Sequence, residues 1–302
     1  MTAPAHVPAH LPAPLLAPPT AAWQPPAPPG ALSAAPDVER ALRRAAEPLA
    51  PIALAELGDA ALMDRVDTKF LLPAALAGAL LDACGGAYRA LEVGGARLSR
   101  YETLYYDTGD LALYHAHHAG RGTRRKVRRR SYVDSDQHFL EVKLRTGRGR
   151  TRKARVALDG EAGAGIDGAL DRLGDPALRE LAWGLAAATL RPVVRVDYRR
   201  LTLVRADGAE RATLDAGVAI ADARGRVASF PHVVVVEVKQ PRRDRSPLVD
   251  AIRALGVRRG GISKYCLGVA SLEPAAKTNR YERLLRHLHR MADRHDAAPH
   301  AR

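Results

Sequence analysis

The chain is 302 residues long, 47% hydrophobic, and carries a formal net charge of +14. That length can bury one sizeable core, and the charge points to an anionic partner: nucleic acid, a membrane surface or a phosphorylated small molecule. With no run of about 18 apolar residues, no transmembrane segment is expected, and two cysteines, Cys84 and Cys266, exclude a disulfide framework and read as buried thiols.

Residues 1 to about 36 are rich in Ala and Pro, with a lone Trp23, and bury too little apolar surface to offset ordering entropy. Disorder is expected there. The N-terminus lacks the charged-then-apolar pattern of a secretory leader, so the expected location is the cytoplasm. A short helix follows around 38–47. The patterns divide the chain into a disordered N-terminal segment (1–45), a folded body (46–275) and a basic C-terminal helix and tail (276–302).

In the body, 65–72 reads as a strand, and Pro73 opens a helix that runs to Cys84 and breaks at Gly85 and Gly86. Residues 97–106 form a strand, 107–110 a turn, and 111–118 a helix. Segments 123–133 and 138–145 make a hairpin, and 151–158 adds a strand. A helix is expected over 166–190. Strands at 193–205, 211–220 and 233–240 follow, the first two joined by a turn at Asp207 and Gly208, then a helix at 247–255. Residues 277–294 read as a basic amphipathic helix with Tyr281, Leu284, Leu285 and Leu288 on one side. Strands dominate and adjoin one another without βαβ alternation, so the expected fold is an antiparallel α+β protein.

Charge parity is the strongest functional signal. Between Arg121 and Arg155 the sequence has fourteen Lys or Arg against three acids, Asp134, Asp136 and Glu141, interleaved with apolar residues. Residues i, i+2 and i+4 of a strand share a face. Lys126, Arg128 and Arg130 form one row, and Glu141, Lys143 and Arg145 a second. Asp67 and Lys69 share a face, as do Arg211, Thr213 and Asp215. Arg195 leads a strand through Tyr198 and Arg200. On the last strand, Glu237 and Lys239 share a face with Val233 and Val235, while Val234, Val236 and Val238 take the other. Taken singly, each row fits an ordinary solvated sheet face. Cationic rows that face one another would repel unless an anion lay between them, and a chain of phosphates fits. Arg offers bidentate donors to phosphate and Lys a mobile point charge. Glu237, helped by Glu141 or Asp67, is a candidate ligand for Mg²⁺ or Mn²⁺, although each acid also fits a salt bridge to its neighbours.

The ordered motifs RVDTKF (65–70), RYETLYYDT (100–108), KVRRRSY (126–132), FLEVKLR (139–145), RKAR (152–155), RPVVRVDYRRLTL (191–203), RATLD (211–215), VVVEVKQ (233–240 with its flanking valines) and SKYCLG (263–268) resemble the catalytic domain of the vacuolar transporter chaperone (VTC) family. These are polyphosphate polymerases of the CYTH, or triphosphate-tunnel, superfamily. The resemblance implies a closed, barrel-like antiparallel β-tunnel of about eight strands with flanking helices, spanning 46–275. It also implies ATP as phosphate donor, a divalent metal, polyphosphate as product and release of ADP.

Carried over by position, the resemblance makes Lys69, Arg128, Arg130, Lys143, Arg200, Arg211 and Lys264 the catalytic set. Lys126, Lys153, Arg155, Tyr198, Lys239 and Ser263 become substrate contacts, and Glu237 the metal ligand. Two positions depart from the pattern. Arg65, Asp67 and Lys69 stand where the superfamily alternates two Glu with a Lys, and Gly261 stands where some relatives have Lys, with Arg258 or Arg259 as the nearest replacement. Eukaryotic assemblies of the family also have membrane and phosphate-sensing parts. This sequence shows neither, so a membrane-associated partner is expected only by that analogy, and the oligomeric state stays open. A triphosphate hydrolase in the same tunnel and a non-catalytic polyphosphate- or nucleic-acid-binding module are the alternatives.

Other motifs carry less. Residues 163–168 match G-x-G-x-x-G but lack a βαβ setting. His115, His117 and His118 fall on different sides of one helix turn and fit surface or partly buried roles. Aromatics in the basic stretch are sparse, Tyr132 and Phe139, with no evident stacking platform for RNA, so no nucleic-acid partner is expected.

Overall fold

The computed structural model describes residues 35–57, 66–147, 151–160, 166–174, 190–242 and 244–297. The expected disorder of 1–34, Arg65, the first half of the G-x-G-x-x-G stretch (163–165), and residues 175–189 of the expected helix lie outside them. Among the described residues, eleven strands form one sheet. They are β1 (Ala50–Ala53), β2 (Val66–Pro73), β3 (Tyr88–Glu92), β4 (Leu98–Asp107), β5 (Arg124–Tyr132), β6 (Gln137–Arg145), β7 (Thr151–Leu158), β8 (Arg191–Arg205), β9 (Arg211–Asp222), β10 (Val227–Phe230) and β11 (Val233–Gln240). The helices are α1 (Pro36–Ala46), α2 (Ala77–Cys84), α3 (Ala112–His118), α4 (Ile166–Asp171), α5 (Pro247–Ala254), α6 (Lys264–Leu272) and α7 (Glu282–Ala297).

The main path runs β2-β11-β9-β8-β4-β5-β6-β7, antiparallel throughout. It is the antiparallel α+β sheet that the pattern predicts, barrel-like and with flanking helices as the resemblance implies. The end strands β2 and β7 do not pair with each other among the described residues, so the barrel-like sheet is not strictly closed, a correction to the closed barrel expected. Off the path, β10 pairs β9, β3 pairs β8, and β1 pairs β3 in parallel. These three short strands escaped the sequence reading because four or five residues hold too little alternation to stand out.

Both terminal helices pack on the body. Helix α1 falls largely inside the segment assigned to disorder, yet Val38, Leu42 and Ala46, spaced four apart on one face, are buried in the core. The Arg97 guanidinium donates to the carbonyls of Ala46, Glu47 and Leu49 just beyond it, satisfying orphaned acceptors at the helix end. Likewise α7 packs onto the body through Leu288 and Met291, with Tyr281, Leu284 and Leu285 alongside, as the amphipathic spacing predicts. It is part of the packed unit.

The sheet has an outer and an inner face, and both carry core. Val234, Val236 and Val238 join Phe70, Leu72, Leu201, Leu203, Ala212 and Leu214 under α1, α2 and α5. Farther along the outer face, Val127, Leu140, Val142 and Leu144 pack with α4. Inside, one end is filled by α6: Tyr265, Cys266, Leu267 and Val269 meet Val194, Val196, Val218, Ile220, Val233 and Val235. The helix approaches closely. A Cβ at Gly268 would lie 2.6 Å from Ile220.

A bulge makes this division possible. The β8–β9 register shifts between Asp197 and Arg199, and on β9 Gly217 takes a φ of 60°, open to glycine at little cost. The inward set changes there from Arg211, Thr213 and Asp215 to Val218 and Ile220. Beyond α6, the inner face turns polar. Both cysteines are buried free thiols, and among the described residues no helix is long and apolar enough to cross a membrane.

Candidate functional site

Cross-strand register aligns the inner-face side chains. Asp67 opposes Lys239 and Lys69 opposes Glu237. Lys239 opposes Arg211, Glu237 opposes Thr213, and Asp215 opposes Arg200. Tyr198 opposes Tyr101, Thr103 opposes Arg130 and Tyr105 opposes Arg128. Lys126, Lys143 and Lys153 then stand directly opposite one another on β5, β6 and β7. The two ends of the path meet electrostatically: Lys143 on β6 feels Lys69 and Asp67 on β2 and Glu237 on β11. Every residue of the expected set on these strands belongs to this inner face.

Two buried carboxylates organise the cations. Glu141, 1% exposed, takes Arg128 at 2.5 Å, Lys153 at 2.6 Å and Arg130 at 3.7 Å. Burial opposes its charge, but the three cations outweigh that cost and hold its carboxyl well below the usual range. Asp215, 3% exposed, receives a bidentate pair from Arg200 at 2.6 and 2.8 Å and the Lys264 ammonium at 2.5 Å. It too titrates below the ordinary carboxylate range despite burial. Glu141 therefore stands as the shared counter-ion of three cations. Asp215 had no role in the sequence reading; its signal was its parity with Arg211.

At the inner end, Lys126 donates to Ser263 Oγ at 2.7 Å. Ser263 caps α6 by accepting from the Cys266 amide, and Lys264 lies 4.7 Å from the Tyr198 ring centre. Burial chiefly, with repulsion from Lys69 and Arg128, pulls Lys126 down to about 8. The Tyr105 hydroxyl shows the same field with opposite sign: burial would raise it, yet Arg128, Arg130 and Lys264 lower it. At the other end, Arg211 donates to the Leu57 carbonyl at 2.9 Å, and Arg155 sits exposed on β7.

Glu237 differs from the other two acids. Its nearest cations, Lys69 and Lys239, stand 3.5 and 3.6 Å away, and its side chain is 21% exposed. They nonetheless keep it well below the usual carboxylate range against the pull of burial. Asp67 lies one step along the same wall. Among the described residues no three His, Cys, Asp or Glu cluster as a ready-made metal cage. The donor set suits an ion such as Mg²⁺, which binds through one or two carboxylates and completes its shell with water and phosphate oxygens.

Other polar groups lie away from the inner wall. Arg195 points outward, buried against Asp197 at 3.2 Å and Glu102 at 3.9 Å, while Tyr198 and Arg200 face in. Plain strand alternation accounts for this, since residues 195 and 198 have opposite parity on β8. His117 and His118 bond to the Arg125 carbonyl and to Asn279, as local structural groups. Arg258 and Arg259 are exposed, and the Gly260 amide bonds to the Lys69 carbonyl.

An antiparallel barrel whose interior is lined by cations on internal carboxylate posts defines the class of structure. The VTC domain profile matches residues 64–273, and the chain belongs to this family. No curated protein matches it. Among solved structures it is similar to a candidate adenylyl cyclase from Hippeastrum described as having a dominant triphosphatase activity, at 16% identity, covering 70% of this chain and 98% of that one, with a TM-score of 0.46. A candidate adenylate cyclase from Vibrio parahaemolyticus aligns at 14% identity, 68% and 98% coverage and a TM-score of 0.41. A protein from Pyrococcus horikoshii aligns at 12%, 64% and 86%, and 0.33.

Proposed function

We propose that the protein is a metal-dependent polyphosphate polymerase that transfers the γ-phosphate of ATP to a phosphate or polyphosphate end and releases ADP. The observation that carries this reading is the row Lys126, Lys143, Lys153. Like charges directly opposite on neighbouring strands destabilise a sheet, and burial lowers the Lys126 and Lys143 ammoniums further. A polyanion between the walls relieves that repulsion.

The chemistry asks little covalent help of the protein. An acceptor phosphate oxygen attacks the γ-phosphorus, the bond to the β,γ-bridging oxygen breaks, and its electron pair leaves with ADP. Arg128 and Arg130, held by Glu141, and Arg200 and Lys264, held by Asp215, bind phosphate oxygens and keep donor and acceptor in line. Lys69 and Lys143 add charge from facing walls, where exclusion of bulk water strengthens each contact. Ser263, Lys126 and Tyr198 shape the inner end, while Arg211, Lys239, Lys153 and Arg155 attract phosphates nearer the rims. Glu237, with Asp67 beside it, would hold Mn²⁺ or Mg²⁺, which would supply charge neutralisation across the donor phosphates. A reaction fed by ATP fits the cytoplasmic location expected from the sequence.

The test is incubation with ATP and Mn²⁺, with gel sizing of polymer and assays of ADP and phosphate. ADP with lengthening polymer is expected. Phosphate without polymer would make the same site a hydrolase, and tight binding without turnover would make it a binding module.

A further inference from the structure

The inner wall carries a second pattern that phosphate chemistry does not need. Four aromatic rings from four neighbouring strands stand side by side near the β5–β6 turn. Tyr198 and Tyr101 stack at 5.3 Å, Tyr101 and Tyr132 meet edge-on at 5.0 Å, and Tyr132 and Phe139 meet at 5.8 Å and 90°. Guanidiniums are interleaved with them. Arg200 lies 4.8 Å from the Tyr101 ring centre, Arg130 5.9 Å from the same ring, and Arg155 5.0 Å from Phe139. In sequence these aromatics look sparse; register gathers them.

The ladder changes character along its length. Tyr198 is buried against the Lys264 ammonium, whereas Tyr132 and Phe139 are only half-buried and Arg155 is exposed. Phe139 lies two residues before Glu141 on the same face of β6, about 7 Å from the post that holds Arg128 and Arg130. A half-buried aromatic beside an exposed arginine, one step from a phosphate grip, is suited to a flat, electron-rich ring attached to a phosphate chain.

We propose that Phe139, Tyr132 and Arg155 form the nucleobase seat of the nucleoside triphosphate donor, the base stacking against Phe139 with the Arg155 guanidinium closing over it. This rests on the phosphate-binding reading above and adds to it the orientation of the nucleotide: base toward the β5–β6 turn, phosphates toward Lys126 and α6. The seat offers ring faces and guanidiniums, so ATP and GTP bind within a few-fold of each other.

Calorimetric titration of ATP and of inorganic tripolyphosphate into the full chain separates the outcomes. In Phe139→Ala, ATP affinity is expected to fall about tenfold or more, while tripolyphosphate affinity stays within about twofold of wild type, and Phe139→Trp restores ATP binding. Should the alanine variant fail to fold, Phe139→Leu keeps the apolar bulk without the π-face and carries the same expectation. Equal losses for both ligands, or none for ATP, overturn the seat while leaving the phosphate site standing. Failure of the wild type to bind either ligand overturns the phosphate reading and the seat with it.

Discussion

The tripeptide Glu-Val-Lys occurs twice on the inner wall, at Glu141-Val142-Lys143 on β6 and at Glu237-Val238-Lys239 on β11, and the two copies do different work. In both, the valine faces the outer core and the charges face in. Glu141 has arginines opposite it on both sides, Arg128 on β5 and Arg155 on β7, and is nearly sealed. Glu237 has Lys69 on one side and Thr213 on the other, with longer contacts and more exposure. Identical sequence thus yields a structural counter-ion in one place and an available carboxylate in the other. The neighbouring strands decide the role.

The comparison is broken most severely by removing Glu141. In Glu141→Ala two arginines and a lysine lose their shared partner, and a loss of about 3–5 kcal/mol is expected by chemical denaturation. Glu237→Ala should change stability by no more than about 1 kcal/mol. Equal effects would erase the distinction. Acid acts in the same direction. Because cations hold the Glu141 carboxyl below its ordinary range, its stabilisation is complete above the ordinary glutamate value and is lost as pH falls below it.

On activity, the next largest effect belongs to cations that have no structural post. Lys143→Ala is expected to cost roughly 10²–10³-fold in turnover with an unchanged melting temperature. Wild-type rates would remove Lys143 from the site. Glu237→Gln is expected to abolish metal-stimulated turnover while tripolyphosphate still binds. Metal dependence unchanged from wild type would reassign the ligand.

The smallest effect sharpens the inner end of the site. Lys126 is pulled down to about 8, so its positive charge fades as pH rises through that value. Tripolyphosphate affinity should drop several-fold between pH 7 and 9, and Lys126→Arg should flatten the profile. Stability has the opposite sign there, since the unfolded chain binds that proton more tightly up to the ordinary lysine value.

Much of this was legible in the sequence because a strand reports its own sidedness. Alternation alone put Lys126, Arg128 and Arg130 on one face, and Val234, Val236 and Val238 on the other. What alternation cannot report is a change of parity or the identity of the strand next door. The bulge at Gly217 converts an ionic row into an apolar one within β9. Glu141 reads like Glu237 until Arg128 and Lys153 are seen on either side of it. Asp215 and the Tyr198–Tyr101–Tyr132–Phe139 ladder arise only from cross-strand register.

The account stands on the inner cations, as opposed to the many on the exterior, being what holds phosphate. The most direct test is titration of tripolyphosphate into Lys143→Ala and into a variant of exposed α7 arginines, Arg286→Ala with Arg290→Ala. Lys143→Ala should lose most of the affinity, and the α7 variant should bind as wild type. Retained binding in the first with loss in the second would place the phosphate site outside the barrel and contradict the account.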